Sequence, residues 1–136
     1  MTFAMVNRVV VDTNILISGI LFDGIPERVL NHARKGTFTP IISLYILLEF
    51  KRVMKQKLNF NSNLINNLVE EIISFSEIIP VIDSKKRWTQ DISDNPIIET
   101  AMKGKADVIV TGDKQLQKVK MSNIKILSPK AFLEML

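Results

Sequence analysis

The chain contains no cysteine and only one histidine, His32, among its 136 residues. Without cysteine, disulfide bonds, thiolate metal sites and cysteine nucleophiles are all excluded. A single histidine cannot build a polyhistidine zinc site within one chain. Any metal site must therefore be made of oxygen ligands, which favour hard cations such as Mg²⁺ or Mn²⁺.

The sequence also lacks a long apolar run. No uninterrupted apolar segment approaches membrane-spanning length. The apolar stretch near the N-terminus is broken by Asp12 and Asn14, and no small-residue cleavage site follows. We therefore expect a cytoplasmic protein with no membrane segment. The length fits a single domain over residues 1–136, and the net charge of +4 is compatible with a nucleic-acid partner without proving one.

Strand and helix patterns alternate along the chain. Apolar and β-branched runs predict strands at residues 8–12, 37–42, 78–82, 107–111 and 124–127. Apolar residues at helical spacing predict helices between them, including residues 44–57, 64–75 and 129–136. This alternation indicates an α/β fold: a three-layer α/β/α arrangement around a mainly parallel sheet of four to five strands.

Asp12 lies where the first predicted strand turns into a helix. The carboxyl edge of an open α/β sheet is where ligands bind. Because burying a lone carboxylate is costly, Asp12 needs a cation, hydrogen-bond donors or water beside it. From this stretch alone, a role as a turn or helix-cap residue is an equally good interpretation.

Three further acids map to the same edge. Glu49 lies on the helix after the second strand, at the edge of its apolar arc rather than among its basic residues. Asp94 opens the helix that enters the fourth strand, and Asp113 follows that strand. Crowded carboxylates repel one another unless a divalent cation neutralises them. These acids therefore predict a Mg²⁺ or Mn²⁺ site, which can activate water to attack a phosphodiester.

A basic loop with one aromatic residue follows the third predicted strand. It contains Lys85, Lys86, Arg87 and Trp88. Such a cluster could bind phosphates while the indole stacks on a base. A solvated basic loop anchored by a buried tryptophan is the favoured interpretation.

Taken together, these motifs resemble the PIN domain family and, within it, the VapC-like toxin nucleases. The resemblance rests on residues 11–14, Glu49, residues 94–101 and residues 106–113, and it covers nearly the whole chain. It implies a Mg²⁺- or Mn²⁺-dependent endoribonuclease that hydrolyses RNA, acting as the toxin of a type II toxin–antitoxin pair. It also implies a homodimer and an antitoxin protein that blocks the site. The implied catalytic and metal-binding quartet is Asp12, Glu49, Asp94 and Asp113.

The same resemblance suggests supporting residues, and the sequence departs from the family pattern in two places. The supporting residues are Asn14, Thr111, Glu99 and Asn95, with Lys114 as a further contact for nucleic acid. Gln115 stands where many relatives carry another acid. Counting back from Asp113 in shorter relatives leads to Asn95, so Asp94 is assigned as the nearest carboxylate and Asp91 is a weaker candidate.

Two other functions remain open on the sequence alone. The first is a catalytically weak or inactive PIN-fold module that binds nucleic acid or a protein partner, which Gln115 and the ambiguous third acid favour. The second is a receiver-like phosphoacceptor, suggested by strand-end aspartates with Thr111 and Lys114. Receivers usually carry an acidic pair after the first strand, whereas Thr13 and Asn14 follow Asp12 here.

Overall fold

The computed structural model describes residues 7–84 and 95–136. At its centre is a five-stranded, all-parallel sheet in the order β3-β2-β1-β4-β5. The strands are β1 (Arg8–Val11), β2 (Thr39–Ser43), β3 (Glu77–Ile79), β4 (Val108–Val110) and β5 (Lys125–Leu127). The predicted three-layer α/β/α fold with a parallel sheet is confirmed.

Strand β1 forms the middle of the sheet because its valines favour a strand that is covered on both faces. Val10 pairs with Ile41 of β2 on one side and with Ile109 of β4 on the other. All three of these side chains are fully buried. The apolar core is therefore built around this strand.

Helices connect the strands and cover the sheet. In the described part of the chain they are α1 (Thr13–Leu21), α2 (Ile25–Arg34), α3 (Leu44–Arg52), α4 (Ser62–Phe75), α5 (Asn95–Lys103), α6 (Lys114–Gln117) and α7 (Pro129–Met135). Side-chain oxygens of Ser43, Asn61 and Ser128 cap α3, α4 and α7 by accepting backbone N–H bonds. None of these helices has the length and apolar content needed to cross a membrane.

Apart from shifts of one or two residues at their ends, the observed elements differ from the predicted ones in three places. The strand predicted at residues 78–82 ends at Ile79, because Pro80 has no N–H with which to extend the ladder. The helix predicted at residues 44–57 changes after Arg52 into a π-helical turn, Val53–Lys57. Helix α6 was not predicted, since four residues are too few to show helical periodicity.

The strand order fixes where a ligand site can form. The chain runs outward from β1 through β2 to β3, then returns to place β4 on the opposite side of β1. The connections diverge at the carboxyl ends of β1 and β4, which leaves a crevice there. The edge strands β3 and β5 are each only three residues long.

Candidate active site

Two aspartates lie at the carboxyl ends of the central strands, and each also caps a helix. Asp12 follows β1 and its carboxylate accepts a hydrogen bond from the N–H of Thr13, at the start of α1. Asp113 follows β4, and its Oδ1 accepts the N–H groups of Gln115 (2.8 Å) and Leu116 (3.3 Å) in α6. Asp12 is thus both a helix cap and an acid at the sheet edge.

The hydroxyl of Thr111 joins these two aspartates. It donates to Oδ2 of Asp12 at 2.7 Å and accepts the backbone N–H of Asp113 at 3.1 Å. Thr111 is fully buried, and its carbonyl accepts a bond from Nε2 of Gln117 at 2.7 Å. Because the N–H of Thr13 and the hydroxyl of Thr111 donate to different oxygens of Asp12, the two bonds together fix the orientation of its carboxylate.

The environment of Asp12 disfavours its negative charge. Burial raises the pKa of the Asp12 carboxyl above its ordinary value, while hydrogen bonds from Thr111 and Thr13 oppose that rise. The negative charges of Asp113 and Glu49 raise the Asp12 pKa further. Both acids are therefore close enough for Asp12 to experience their charge.

An open cleft of about 140 Å³ brings four of the predicted site residues together. These are Asp12, Asn14, Glu49 and Asp113, and the remaining lining is Thr13, Tyr45, Val53 and Ile97. A water molecule needs only about 15 Å³ by a comparable measure, so the cleft has room for a cation with several waters.

Glu49 forms an ion pair with Arg52 that the sequence analysis did not predict. Nε and Nη2 of Arg52 donate to the two carboxylate oxygens of Glu49 at 3.0 and 3.2 Å. This ion pair raises the pKa of the Arg52 guanidinium. The i, i+3 spacing of the two residues on one helix is the signal that could have suggested it. Tyr45, one turn before Glu49, also lines the cleft and was missed.

The other predicted residues lie around or beyond the cleft. Asn95 is the buried first residue of α5, and Glu99 is half-buried one turn later, outside the described lining of the cleft. Lys114 and Gln115 are exposed at the start of α6. Six predicted residues lie outside the described parts of the chain: Lys85, Lys86, Arg87, Trp88, Asp91 and Asp94.

The donor set of the cleft fits a hard cation that keeps most of its waters. Its ionisable donors are the carboxylates of Asp12, Asp113 and Glu49. Across residues 7–84 and 95–136, no group of three or more acidic or imidazole side chains is close enough to hold a metal ion. Mg²⁺ is commonly bound through one or two carboxylates plus waters, and Asp12 with Asp113 meets that lower requirement.

Comparisons with known proteins identify the family and the fold. The family model described as PIN domain matches residues 8–115. No curated protein sequence matches the chain.

Two solved structures share the fold. One is the crystal structure of VapBC2 from Rickettsia felis bound to a DNA fragment from their promoter. One chain of that structure is 19% identical to this chain, with a TM-score of 0.60. The match covers 88% of this chain and 96% of the VapBC2 chain. The other is the PIN domain endonuclease Utp24, which is 21% identical with a TM-score of 0.52, covering 89% of this chain and 84% of that one. Since the match to the family model spans residues 8–115, most of this chain, the chain belongs to the PIN domain family.

Proposed function

We propose that the chain is a Mg²⁺- or Mn²⁺-dependent endoribonuclease that hydrolyses RNA phosphodiester bonds. The observation that carries this proposal is the shared hydroxyl of Thr111, which links the carboxylate of Asp12 to the backbone N–H of Asp113. Both aspartates line one cleft with Glu49. Membership of the PIN domain family supports a nuclease. The proposed catalytic and metal-binding residues are Asp12, Glu49, Asp94 and Asp113.

The hydrogen bonds of Asp12 and Asp113 support the tasks proposed for them. A bound divalent cation supplies a site that lowers the pKa of water and stabilises the departing oxygen. Asp12 is oriented by Thr111 and by the N–H of Thr13, so its geometry is fixed before substrate binds. Asp113 uses Oδ1 for its capping bonds, which leaves Oδ2 for a ligand as far as residues 7–84 and 95–136 are concerned.

The remaining residues are proposed to support this chemistry. Asn14 lines the cleft and can orient a carboxylate or the attacking water. Asn95 and Glu99 would act from α5 as outer supports. Lys114 and the basic loop (Lys85, Lys86, Arg87 and Trp88) would contact the RNA backbone and a base.

We further propose that the chain is the toxin of a type II toxin–antitoxin pair and acts in the cytoplasm as a homodimer. The fold that it shares with a chain of the VapBC2 structure supports this role. The cognate antitoxin protein would block the acidic cleft.

An inactive binding module is the second candidate. The ion pair between Glu49 and Arg52 favours it, because both oxygens of that carboxylate are already occupied. Gln115 favours it as well, since it replaces a further acid. Such a module would bind RNA without cleaving it.

Cleavage of a single-stranded RNA with and without Mn²⁺ tests the proposal. We expect metal-stimulated cutting by the wild type and a loss of at least about 100-fold in Asp12→Asn, which removes a charged group from the reaction centre. Asp23→Asn is the matched control, since Asp23 is exposed in the turn before α2. Full activity in Asp12→Asn would contradict the mechanism. Metal-independent RNA binding by the wild type without cleavage would favour the inactive module.

A further inference from the structure

A second concavity of about 250 Å³ lies on a different face of α3 from the acidic cleft. It is formed between the end of α3, the π-helical turn and the first half of α4. We call it the basic groove, and its lining is Lys51, Arg52, Lys55, Ser62, Ile65 and Asn66. The groove is therefore built by elements that also hold Glu49 in place.

All the charged side chains in the described lining of the basic groove are positive. Three of its lining side chains are cationic, and none of its described lining residues is acidic. Lys51 and Lys55 are exposed and form no ion pair within the described residues, although Nζ of Lys55 donates to Oγ of Ser62 at 3.2 Å. Like charges at i, i+4 on a helix repel each other. The groove thus keeps a local excess of positive charge that an anionic ligand would neutralise.

The floor of the basic groove differs from its walls. Ile65 of α4 is buried there, and Ser62 and Asn66 flank it with a hydroxyl and an amide. Single-stranded nucleic acids bind to positively charged grooves that also offer a surface for the sugars and bases. Since no aromatic side chain is among the described lining, phosphate contacts rather than base stacking would dominate the affinity.

Arg52 connects the basic groove to the acidic cleft. Arg52 lines the groove, and its guanidinium donates to both carboxylate oxygens of Glu49, which lines the cleft. Glu49 and Lys55 are six residues apart, a rise of about 9 Å along a helix. The π-helical turn Val53–Lys57 contributes Val53 to the cleft and Lys55 to the groove, and such turns are frequent at functional sites. A chain of phosphates leaving the cleft would reach the groove within a short distance.

We propose that the basic groove binds the backbone of single-stranded RNA as it leaves the acidic cleft. Lys51 and Lys55 contact successive phosphates. The proposal rests on the ribonuclease function proposed above and locates the path of its substrate. Because the contacts are to the backbone, the groove adds affinity with little preference for sequence.

The test measures RNA affinity in the absence of cleavage. A fluorescein-labelled 20-nucleotide single-stranded RNA is titrated with the full chain in EDTA, and its anisotropy is followed at several salt concentrations. We expect the double variant Lys51→Glu/Lys55→Glu to bind about 25-fold more weakly at 0.1 M salt, from roughly fivefold per lost phosphate contact. The slope of log affinity against log salt should shrink by about 1.4.

The matched control carries the same change of net charge elsewhere. Lys125→Glu/Lys130→Glu alters two exposed lysines, on β5 and α7, and should weaken binding far less. Equal losses in the two double variants, or no loss in the groove variant, would overturn the proposal. Thermal melts of all variants establish that they are folded.

The experiments distinguish an error in the proposed RNA-binding groove from an error in the proposed ribonuclease function. If the wild type cleaves RNA with Mn²⁺ while the groove variant binds RNA like the control, the groove is wrong and the function stands. If the groove variant alone loses RNA binding but the wild type never cleaves, the groove stands and the function is wrong.

Discussion

Charged side chains have different partners at the two ends of the central strands. At the amino end, the guanidinium of Arg8 forms two hydrogen bonds with the carboxylate of Glu77, which raises the pKa of Arg8 and lowers that of Glu77. Asp107 accepts the backbone N–H groups of Asn7 (2.9 Å) and Arg8 (3.0 Å). Ionised groups at this end are stabilised by partners within the chain.

At the carboxyl end, three acids line one cleft, and among the described residues only Glu49 has a basic partner. Asp12 is surrounded by neutral donors and by the charges of Asp113 and Glu49, so its pKa rises. Arg52 compensates Glu49 but makes no hydrogen bond to either aspartate within the described residues.

The contrast teaches that the uncompensated charge is a local property of one edge. Within the described residues, Arg8 has an acidic partner where β1 begins, whereas Asp12 has no basic partner where β1 ends. Perturbed carboxylates in a cleft are typical of functional sites, because stability is sacrificed there for chemistry.

Removing the Thr111 hydroxyl should have the largest effect of the three changes that test this contrast. Thr111→Val leaves Oδ2 of Asp12 and the N–H of Asp113 without their partner, which costs about 1–3 kcal/mol of unfolding free energy. We expect RNA cleavage to fall about 10- to 100-fold, as when an outer support of a metal site is lost. Urea unfolding and Mn²⁺ titration calorimetry measure the two effects.

Thr111→Ser is the control for that change, because serine keeps the hydroxyl and loses only a methyl group. It should retain most of the cleavage rate and of the Mn²⁺ affinity. A valine variant as active as the serine variant would show that the hydroxyl does not orient Asp12.

Releasing Glu49 from Arg52 should have a smaller effect, with the opposite sign. Arg52→Met removes a cation that occupies both oxygens of Glu49, so Mn²⁺ should bind about threefold to tenfold more tightly. Lys51→Met removes the same charge from the same helix without touching Glu49, and its effect should be smaller. Titration calorimetry measures both affinities; weaker Mn²⁺ binding by Arg52→Met would mean that the ion pair organises the site rather than competing with the metal.

The pH dependence of stability should show the smallest effect. Because the folded pKa of Asp12 is raised, the wild type loses stability as pH rises from the ordinary aspartate value, about 3.9, through that higher pKa. Asp12→Asn should lack this loss.

Glu77 has the opposite effect on the pH dependence of stability. Its lowered pKa adds stability above about pH 4.3, and this contribution disappears as pH falls through the pKa of Glu77 in the folded protein.

For Glu77→Gln we expect a loss of only about 0.5 kcal/mol at neutral pH and low salt, since the pair is exposed and screened. Urea unfolding at low salt between pH 3 and pH 7 separates the two variants. Parallel pH profiles for wild type and Asp12→Asn would contradict the raised pKa.

The sequence was sufficient for those features that depend on topology. Alternating patterns predicted the parallel sheet, and parallel strands necessarily bring the residues after β1 and β4, Asp12 and Asp113, to one edge. The need of Asp12 for hydrogen-bond donors also followed from the cost of burying a carboxylate.

Features that depend on side-chain conformation could not be predicted in this way. The hydrogen bonds from Arg52 to both oxygens of Glu49 are one example, because a sequence does not show which rotamer a long side chain adopts. The π-helical turn and the four-residue helix α6 have no periodic signal of their own. The third acid, Asp94 or Asp91, stays a prediction, since both lie outside the described residues.

The shortness of β3 and β5 has a consequence for self-association. Long open sheet edges can recruit strands from other molecules, but three-residue edges offer few free backbone groups for such growth. We therefore expect contacts between copies of this protein to be made by side chains away from the edges of the sheet, so the dimer that we propose should dissociate on mutation of surface residues while each subunit keeps its sheet intact.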